Sequence, residues 1–277
     1  MKYKLGAHVS IASGYEHALE KIVEMGGNCL QMFSSSPRKW HIASTKNIDS
    51  SGFIRKKTSL RVDPIYFHAS YLINLADEER IGNLSKKTLI NELQTASRLG
   101  IKGSIVHLGS FKKNKSELRY KILLRHMSEV LEKMPSSVLF IIENAGNRKI
   151  GSTFDEIGTI VKTLADPRIR VCLDTCHLHS TGYDLATPKK LEIILDLFEK
   201  QIGLKKLELW HINDSHDPFA SFRDRHANIG AGTIAMDEFR YILTHPQLRS
   251  LPFIIETPGF DGKGPDKKNL DILKKLI

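Results

Sequence analysis

The chain has 277 residues, 41% hydrophobic and 26% charged, a composition that excludes disorder, collagen and coiled coil. Its longest aliphatic and aromatic run, Val138 to Ile142, falls far short of the ~20 residues that span a bilayer. Met1-Lys2-Tyr3-Lys4 leads directly into strand-like sequence, so the expectation is a cytoplasmic protein with no membrane partner. Cys29, Cys172 and Cys176 are an odd, sparse set that argues against a disulfide framework and fits a reducing compartment. Lysine and arginine total 41 against 31 aspartate and glutamate, a net +10. That sign suits either a polyanionic partner or a well-solvated basic surface.

In chain order, eight short runs read as buried strands: Leu5 to Val9, Cys29 to Phe33, Ile65 to His68, Ser104 to His107, Val138 to Glu143, Val171 to Asp174, Leu207 to Ile212 and Phe253 to Glu256. Most are continuous apolar runs, the pattern of parallel strands covered on both faces. Between them lie helical spacings, such as Leu84, Leu89, Ile90, Leu93, Ala96 and Leu99 closed by Gly100, and Leu118, Ile122, Leu123, Met127, Val130 and Leu131. The strands start 24 to 46 residues apart with no Pro/Gly/Ser linker between them, which predicts one α/β domain over 1–277, a (β/α)8 TIM barrel. A doubly wound open sheet is the structural alternative.

In such a barrel the chemistry sits at the carboxyl ends of the strands. Here those ends carry His8, Ser34, His68, His107, Glu143, Asp174 followed by His177, His211 and Glu256, and Asp224 and His226 lie in the long loop after the seventh strand. Any one of them could bond a neighbouring amide, but as a set the carboxylates would repel one another without cations. Imidazole and carboxylate donors with no apparent thiolate suit Zn2+ first, with Mn2+ or Fe2+ as alternatives. Nine such donors, leaving His8 aside, are too many for one four-coordinate ion, whereas a bridging carboxylate lets the set hold two or three. The charge of four carboxylates, −4, against +6 for three divalent ions leaves +2, which suits a phosphate. Cys172 and Cys176 read as small buried hydrophobes, His179 as a loop residue, and His17, His41, His126 and His245 as surface residues.

Six motifs now stand in order: His68-Ala-Ser-Tyr-Leu-Ile-Asn-Leu75, Ile142-Glu-Asn-Ala-Gly146, Cys172-Leu-Asp-Thr-Cys-His177, His211-Ile-Asn-Asp-Ser215, Asp224-Arg-His226 and Ile255-Glu-Thr257. Together with Gly6-Ala-His8-Val-Ser, they resemble the bacterial endonuclease IV family of apurinic/apyrimidinic endonucleases over essentially the whole chain. The resemblance implies a TIM barrel that holds three zinc ions and cleaves duplex DNA on the 5′ side of abasic sites. It places one zinc with His68, His107 and Glu143, a second with Glu143, Asp174, His211 and Glu256, and a third with His177, Asp224 and His226. Glu143 would bridge the first two, and Glu143 and Glu256 would be the catalytic carboxylates of an in-line attack on phosphorus. The products would be a 3′-hydroxyl and a 5′ deoxyribose phosphate, with 3′-end trimming as a further activity. Arg38, Tyr71 and Leu72 would contact DNA through the minor groove, and the chain would act as a monomer, associated with the nucleoid through DNA. His107-Leu-Gly109 departs from the family's His-Pro-Gly, and His179 and His216 receive no role. A divalent-metal sugar isomerase on the same barrel is the alternative enzyme, and a catalytically silent DNA-damage binder the alternative class. The third ligand set and the basic charge count against the isomerase.

Overall fold

The computed structural model describes residues 3–40, 49–111 and 116–277. Its strands are β1 (Lys4–His8), β2 (Cys29–Phe33), β3 (Ile65–His68), β4 (Gly103–Val106), β5 (Leu139–Glu143), β6 (Ile169–Asp174), β7 (Leu207–His211), the short β8 (Asp214–Ser215) and β9 (His226–Ala227), and β10 (Pro252–Ile255). The sheet runs β1-β2-β3-β4-β5-β6-β7-β10, all parallel, and β10 returns to β1 from Lys4↔Pro252 to Ala7↔Ile255. That closure is the (β/α)8 barrel the strand spacing predicts, and it excludes the open sheet. The helices α1 (Tyr15–Glu24), α2 (Ser50–Ser59), α3 (Arg80–Leu99), α4 (Glu117–Lys133), α5 (Phe154–Leu164), α6 (Thr175–Thr181), α7 (Pro188–Gln201), α8 (Met236–Thr244) and α9 (Lys267–Lys274) fall between and after the barrel strands. Their starts and stops follow the local chemistry. Ser116, Thr153 and Thr187 cap α4, α5 and α7 by accepting a backbone N–H three residues on, and Gly100 ends α3 at φ 61°.

Side chains alternate along a strand, so residues i and i+2 share a face. Inside the barrel Cys29, Tyr66, Ile105, Ile141, Cys172, Leu209 and Ile254 form an apolar cluster separate from the larger core beneath the helices. The eighth place, on β1, falls to Gly6, where a Cβ would lie 2.1 Å from the Cys29 carbonyl oxygen. Two residues further along each strand come His8, Gln31, His68, His107, Glu143, Asp174, His211 and Glu256. The apolar layer plugs the barrel, and the layer above it, at the carboxyl ends, is entirely polar.

Two expectations for histidines are corrected. His126 is not a surface residue. It lies buried on the inner side of α4, bonded through Nδ1 to the Leu75 carbonyl at 3.0 Å, and Gly82 leaves room for its ring. His179 is not in a loop either: it is buried in α6 with Nε2 3.2 Å from Thr233 Oγ1. Neither position looks apolar in the sequence, because each imidazole is buried by satisfying one polar partner. His17 is exposed and His245 half-buried against Glu192, and His41 lies outside the described residues. Among the described residues, no helix is long and apolar enough to cross a membrane.

Candidate metal centre

Glu143, at the end of β5 and fully buried, is the hub of the polar layer. Its Oε2 faces His68 Nε2 at 3.1 Å and His107 Nε2 at 3.2 Å. Its Oε1 faces His211 Nδ1 at 3.0 Å and His177 Nδ1 at 3.3 Å. His211 Nδ1 also lies 3.4 Å from Glu256 Oε2 and 3.7 Å from Asp174 Oδ2. The fold therefore assembles His68, His107 and Glu143 as one convergent donor group, and Glu143, Asp174, His211 and Glu256 as a second that shares Glu143 with the first.

The remaining donors come from outside the barrel strands. α6 begins directly after β6, with Asp174 Oδ1 accepting the His177 N–H at 3.1 Å, so one residue both starts the helix and faces the centre. The antiparallel pairing of β8 with β9 folds the long loop back and sets Ser215 against His226. Asp214 pins that loop by accepting the N–H groups of Gly230, Gly232 and Ile234. His177 Nε2 then lies 3.1 Å from Asp224 Oδ1, His226 Nε2 lies 3.5 Å from the same oxygen, and the two imidazole nitrogens are 3.5 Å apart. Cys176 Sγ also falls within this neighbourhood. Burial pushes its thiol well above the usual range, and the same holds for Cys172.

The motif Ile142-Glu-Asn-Ala-Gly146 now has a physical reading. The Asn144 carbonyl oxygen accepts from His177 Nδ1 at 2.8 Å, its side chain accepts the Asp174 N–H at 2.7 Å, and a Cβ at Gly146 would lie 2.6 Å from His177 Cδ2. His177 therefore carries a proton on Nδ1 and turns Nε2 toward His226 and Asp224. His68 is held in the same way by the Ala69 carbonyl at 2.8 Å.

The electrostatics fit a cation. Burial alone lowers the His68 pKa, but the Glu143 hydrogen bond and the charges of Glu256 and Glu143 outweigh it and push it up to about 9. Burial holds His107 down at about 4, with Glu143 opposing only in part. Burial would raise Glu143 and Asp224, yet the surrounding imidazoles hold both well below the usual carboxylate range. Four carboxylates, Glu143, Asp174, Asp224 and Glu256, converge with five imidazoles on one largely buried space, a donor set suited to cations. All nine donors proposed from the sequence lie in this one cluster, in overlapping groups suited to divalent ions by number and chemistry.

A cavity of about 500 Å³ opens over the cluster, lined by His68, His107, His177, Asp224, His226 and Glu256. Tyr71 stands at its rim, 67% exposed, edge-on to Phe33 at 5.4 Å. Leu72 is half-buried beside it. Arg38 is exposed and lines an adjoining groove of about 790 Å³ together with Lys21 and Lys263. Reading strand ends alone misses Gln31 and Asn213. Both are fully buried polar residues that bond to the proposed ligands.

The pattern that defines the xylose isomerase-like TIM barrel family matches residues 19–276. A curated protein of Persephonella marina named probable endonuclease 4 is 34% identical over 280 residues, covering 99% of this chain and 97% of its own. The chain belongs to the endonuclease IV family. It is an enzyme of the endonuclease IV type. A crystal structure of endonuclease IV from Thermus thermophilus superposes with a TM-score of 0.86 at 29% identity, covering 99% of this chain and 98% of that one. A D-tagatose 3-epimerase-like protein superposes at 0.73 with 20% identity, covering 98% of this chain and 96% of that one, a likeness of fold alone.

Proposed function

We propose that this chain hydrolyses duplex DNA on the 5′ side of apurinic/apyrimidinic sites, leaving a 3′-hydroxyl and a 5′ deoxyribose phosphate, and trims blocked 3′ ends at the same centre. The observation that carries the proposal is the crowding around Glu143: four imidazoles face its two oxygens, and a further group joined by Asp224 stands beside them. Such a set would hold three divalent ions, zinc first: one on His68, His107 and Glu143, one on Glu143, Asp174, His211 and Glu256, and one on His177, Asp224 and His226. An isomerase acting on a neutral sugar has no use for the third group.

Divalent ions bound there supply positive charge that favours displacement at phosphorus. The chain's own residues do the rest. Glu143 is sealed from solvent and keeps its neighbouring imidazoles in register. Glu256 is ionised and partly open to the cavity, so its carboxylate accepts a hydrogen bond from the attacking water and orients it. Arg38, Tyr71 and Leu72 stand where a duplex laid over the cavity would meet them, and the net charge of +10 favours a polyanion.

The test is metal analysis of the purified protein, followed by incubation with an end-labelled duplex bearing one abasic site. A single nick 5′ to the site, absent from intact duplex, is the expected result. Conversion of a ketose by a protein that leaves the duplex whole would overturn the proposal.

A further inference from the structure

The candidate ligands leave one strand-end imidazole unused. His8 closes β1, lines both the cavity over the cluster and the adjoining groove, and belongs to none of the convergent donor groups among the described residues. Its ring is fixed by an edge contact with Phe33, centroids 4.3 Å apart. Its Nδ1 lies 2.9 Å from Gln31 Nε2. Its Nε2 is buried and has no hydrogen-bond partner among the described residues, an arrangement that costs free energy unless something else satisfies it.

Gln31 settles which atom of His8 carries the proton. Its side-chain amide touches three groups: the nitrogen reaches His8 Nδ1 and Glu256 Oε1, and the oxygen lies 2.7 Å from His211 Nε2. A carboxylate only accepts, so the amide face turned to Glu256 must be the NH2. The reversed amide would set oxygen against oxygen there. With the amide so fixed, its oxygen accepts from His211 Nε2–H, and the His211 Nδ1 lone pair faces Glu143, Asp174 and Glu256. One of its N–H bonds points to His8 Nδ1, which must therefore be bare. A protonated Nδ1 would put donor against donor, with Glu256 Oε1 at 3.6 Å too distant to accept from it, so His8 is neutral with its only N–H at Nε2. One glutamine thus imposes opposite roles on two histidines, and the His8 nitrogen that a metal would need already holds a proton.

We propose that His8 is a substrate-binding residue of this site, donating Nε2–H to a non-bridging oxygen of the phosphodiester, and that Gln31 is the positioning residue that holds both His8 and His211 in the tautomer protonated at Nε2. The proposal rests on the phosphodiesterase reading for its ligand, and on the hydrogen-bond geometry for the tautomers.

The test uses the metal-loaded protein and the variants His8→Phe, His8→Gln and Gln31→Leu, with folding checked by circular dichroism. His8→Phe keeps the ring and its packing but removes the N–H. It is expected to retain the parent's metal content while kcat/KM for nicking an abasic duplex falls roughly ten- to hundredfold. His8→Gln, which offers an N–H of similar reach, should recover part of that loss. Gln31→Leu should lower both metal retention and kcat/KM, because His211 and His8 are freed together. Nitrogen-15 spectra of the zinc-loaded parent should show His8 protonated at Nε2 and bare at Nδ1. Loss of metal in His8→Phe would make His8 a ligand and overturn the proposal, as would unchanged kcat/KM or the opposite tautomer. If the parent fails to nick abasic DNA, the functional reading falls, and the spectra still decide the tautomer assignment.

Discussion

Asn213 donates its side-chain amide to Asp174 Oδ2 at 2.6 Å, while its side-chain oxygen accepts the backbone N–H of Glu256 at 2.7 Å. One buried asparagine therefore holds a carboxylate from β6 and the strand end after β10 at a fixed separation. Its own backbone is tied to Thr175, whose hydroxyl accepts the Asn213 N–H at 2.9 Å and donates to the Asn213 carbonyl at 2.6 Å. Partners of this kind orient ligands and are worth about 10- to 100-fold in metal affinity. Asn213→Leu should lower metal affinity by about that factor while the barrel still forms. Competition with a chromophoric chelator measures it, and an unchanged affinity would remove Asn213 from the centre.

Glu143 carries the next expectation. Because its two oxygens face imidazoles of different donor groups, Glu143→Gln should weaken two of the proposed ion sites at once, whereas Asp224→Asn should affect one. Elemental analysis of the parent should give roughly three divalent ions per chain, mostly zinc. Glu143→Gln should lose more metal and more activity than Asp224→Asn. A parent with a single ion, or equal losses in the two variants, would refute the shared-carboxylate arrangement.

Glu92 on α3 contributes in the opposite sense. It is buried and accepts hydrogen bonds from the Ser34 and Ser104 hydroxyls, yet burial pushes its carboxyl from the ordinary 4.5 up to about 7. Between those values the folded chain binds more protons than the unfolded one, so stability falls as pH rises from about 4.5 to 7 and stays lower above it. A shift of that size corresponds to on the order of 3 kcal/mol. Glu92→Gln, which keeps an acceptor for the hydroxyls, should flatten this slope and stabilise the metal-free protein at pH 8 by on the order of 1 to 3 kcal/mol. Denaturant unfolding of both proteins at pH 5 and pH 8 measures the difference. Parallel pH profiles would show that Glu92 stays ionised throughout.

The barrel was legible because buried parallel strands read as apolar runs, and the convergent donor cluster because polar groups at their ends break those runs in a recurrent way. Gln31 was missed although the same rule places it: it lies two residues after Cys29 of the plugging layer, as His68 lies two after Tyr66 and Glu143 two after Ile141. A strand read only at its last residue loses the layer below. Asn213 follows His211 in a loop, where an asparagine is ordinary, and nothing local tells that its amide reaches β6. The burial of His126 and His179 was illegible for a related reason, since the partners that satisfy them, the Leu75 carbonyl and Thr233, stand 51 and 54 residues away in the chain.

Damage recognition gives the last prediction, because cations alone cannot distinguish one phosphate of a duplex from the next. An abasic nucleotide costs less to unstack and extrude than an intact one, so side chains that press into the stack turn this difference into selectivity. Tyr71 is two-thirds exposed above the centre, three residues after His68, and Arg38 lies close enough for its charge to act on the Tyr71 hydroxyl. Tyr71 packs against Phe33 with the two rings steeply inclined, and its exposed surface can press on a base. The parent should bind intact and abasic duplex alike through phosphate contacts that weaken steeply with salt, and bind the abasic duplex more tightly by an increment that salt leaves largely in place. Tyr71→Ala and Arg38→Ala should each remove on the order of 1 to 3 kcal/mol of that increment, the scale of one stacking contact. Leu72→Ala should remove less, since that side chain is already half-buried. All three should keep the parent's metal content. Anisotropy titrations of both duplexes at two salt concentrations read the increment directly. Equal losses on intact and abasic duplex would reduce these residues to phosphate or packing contacts and place the sensing of the missing base elsewhere on the rim.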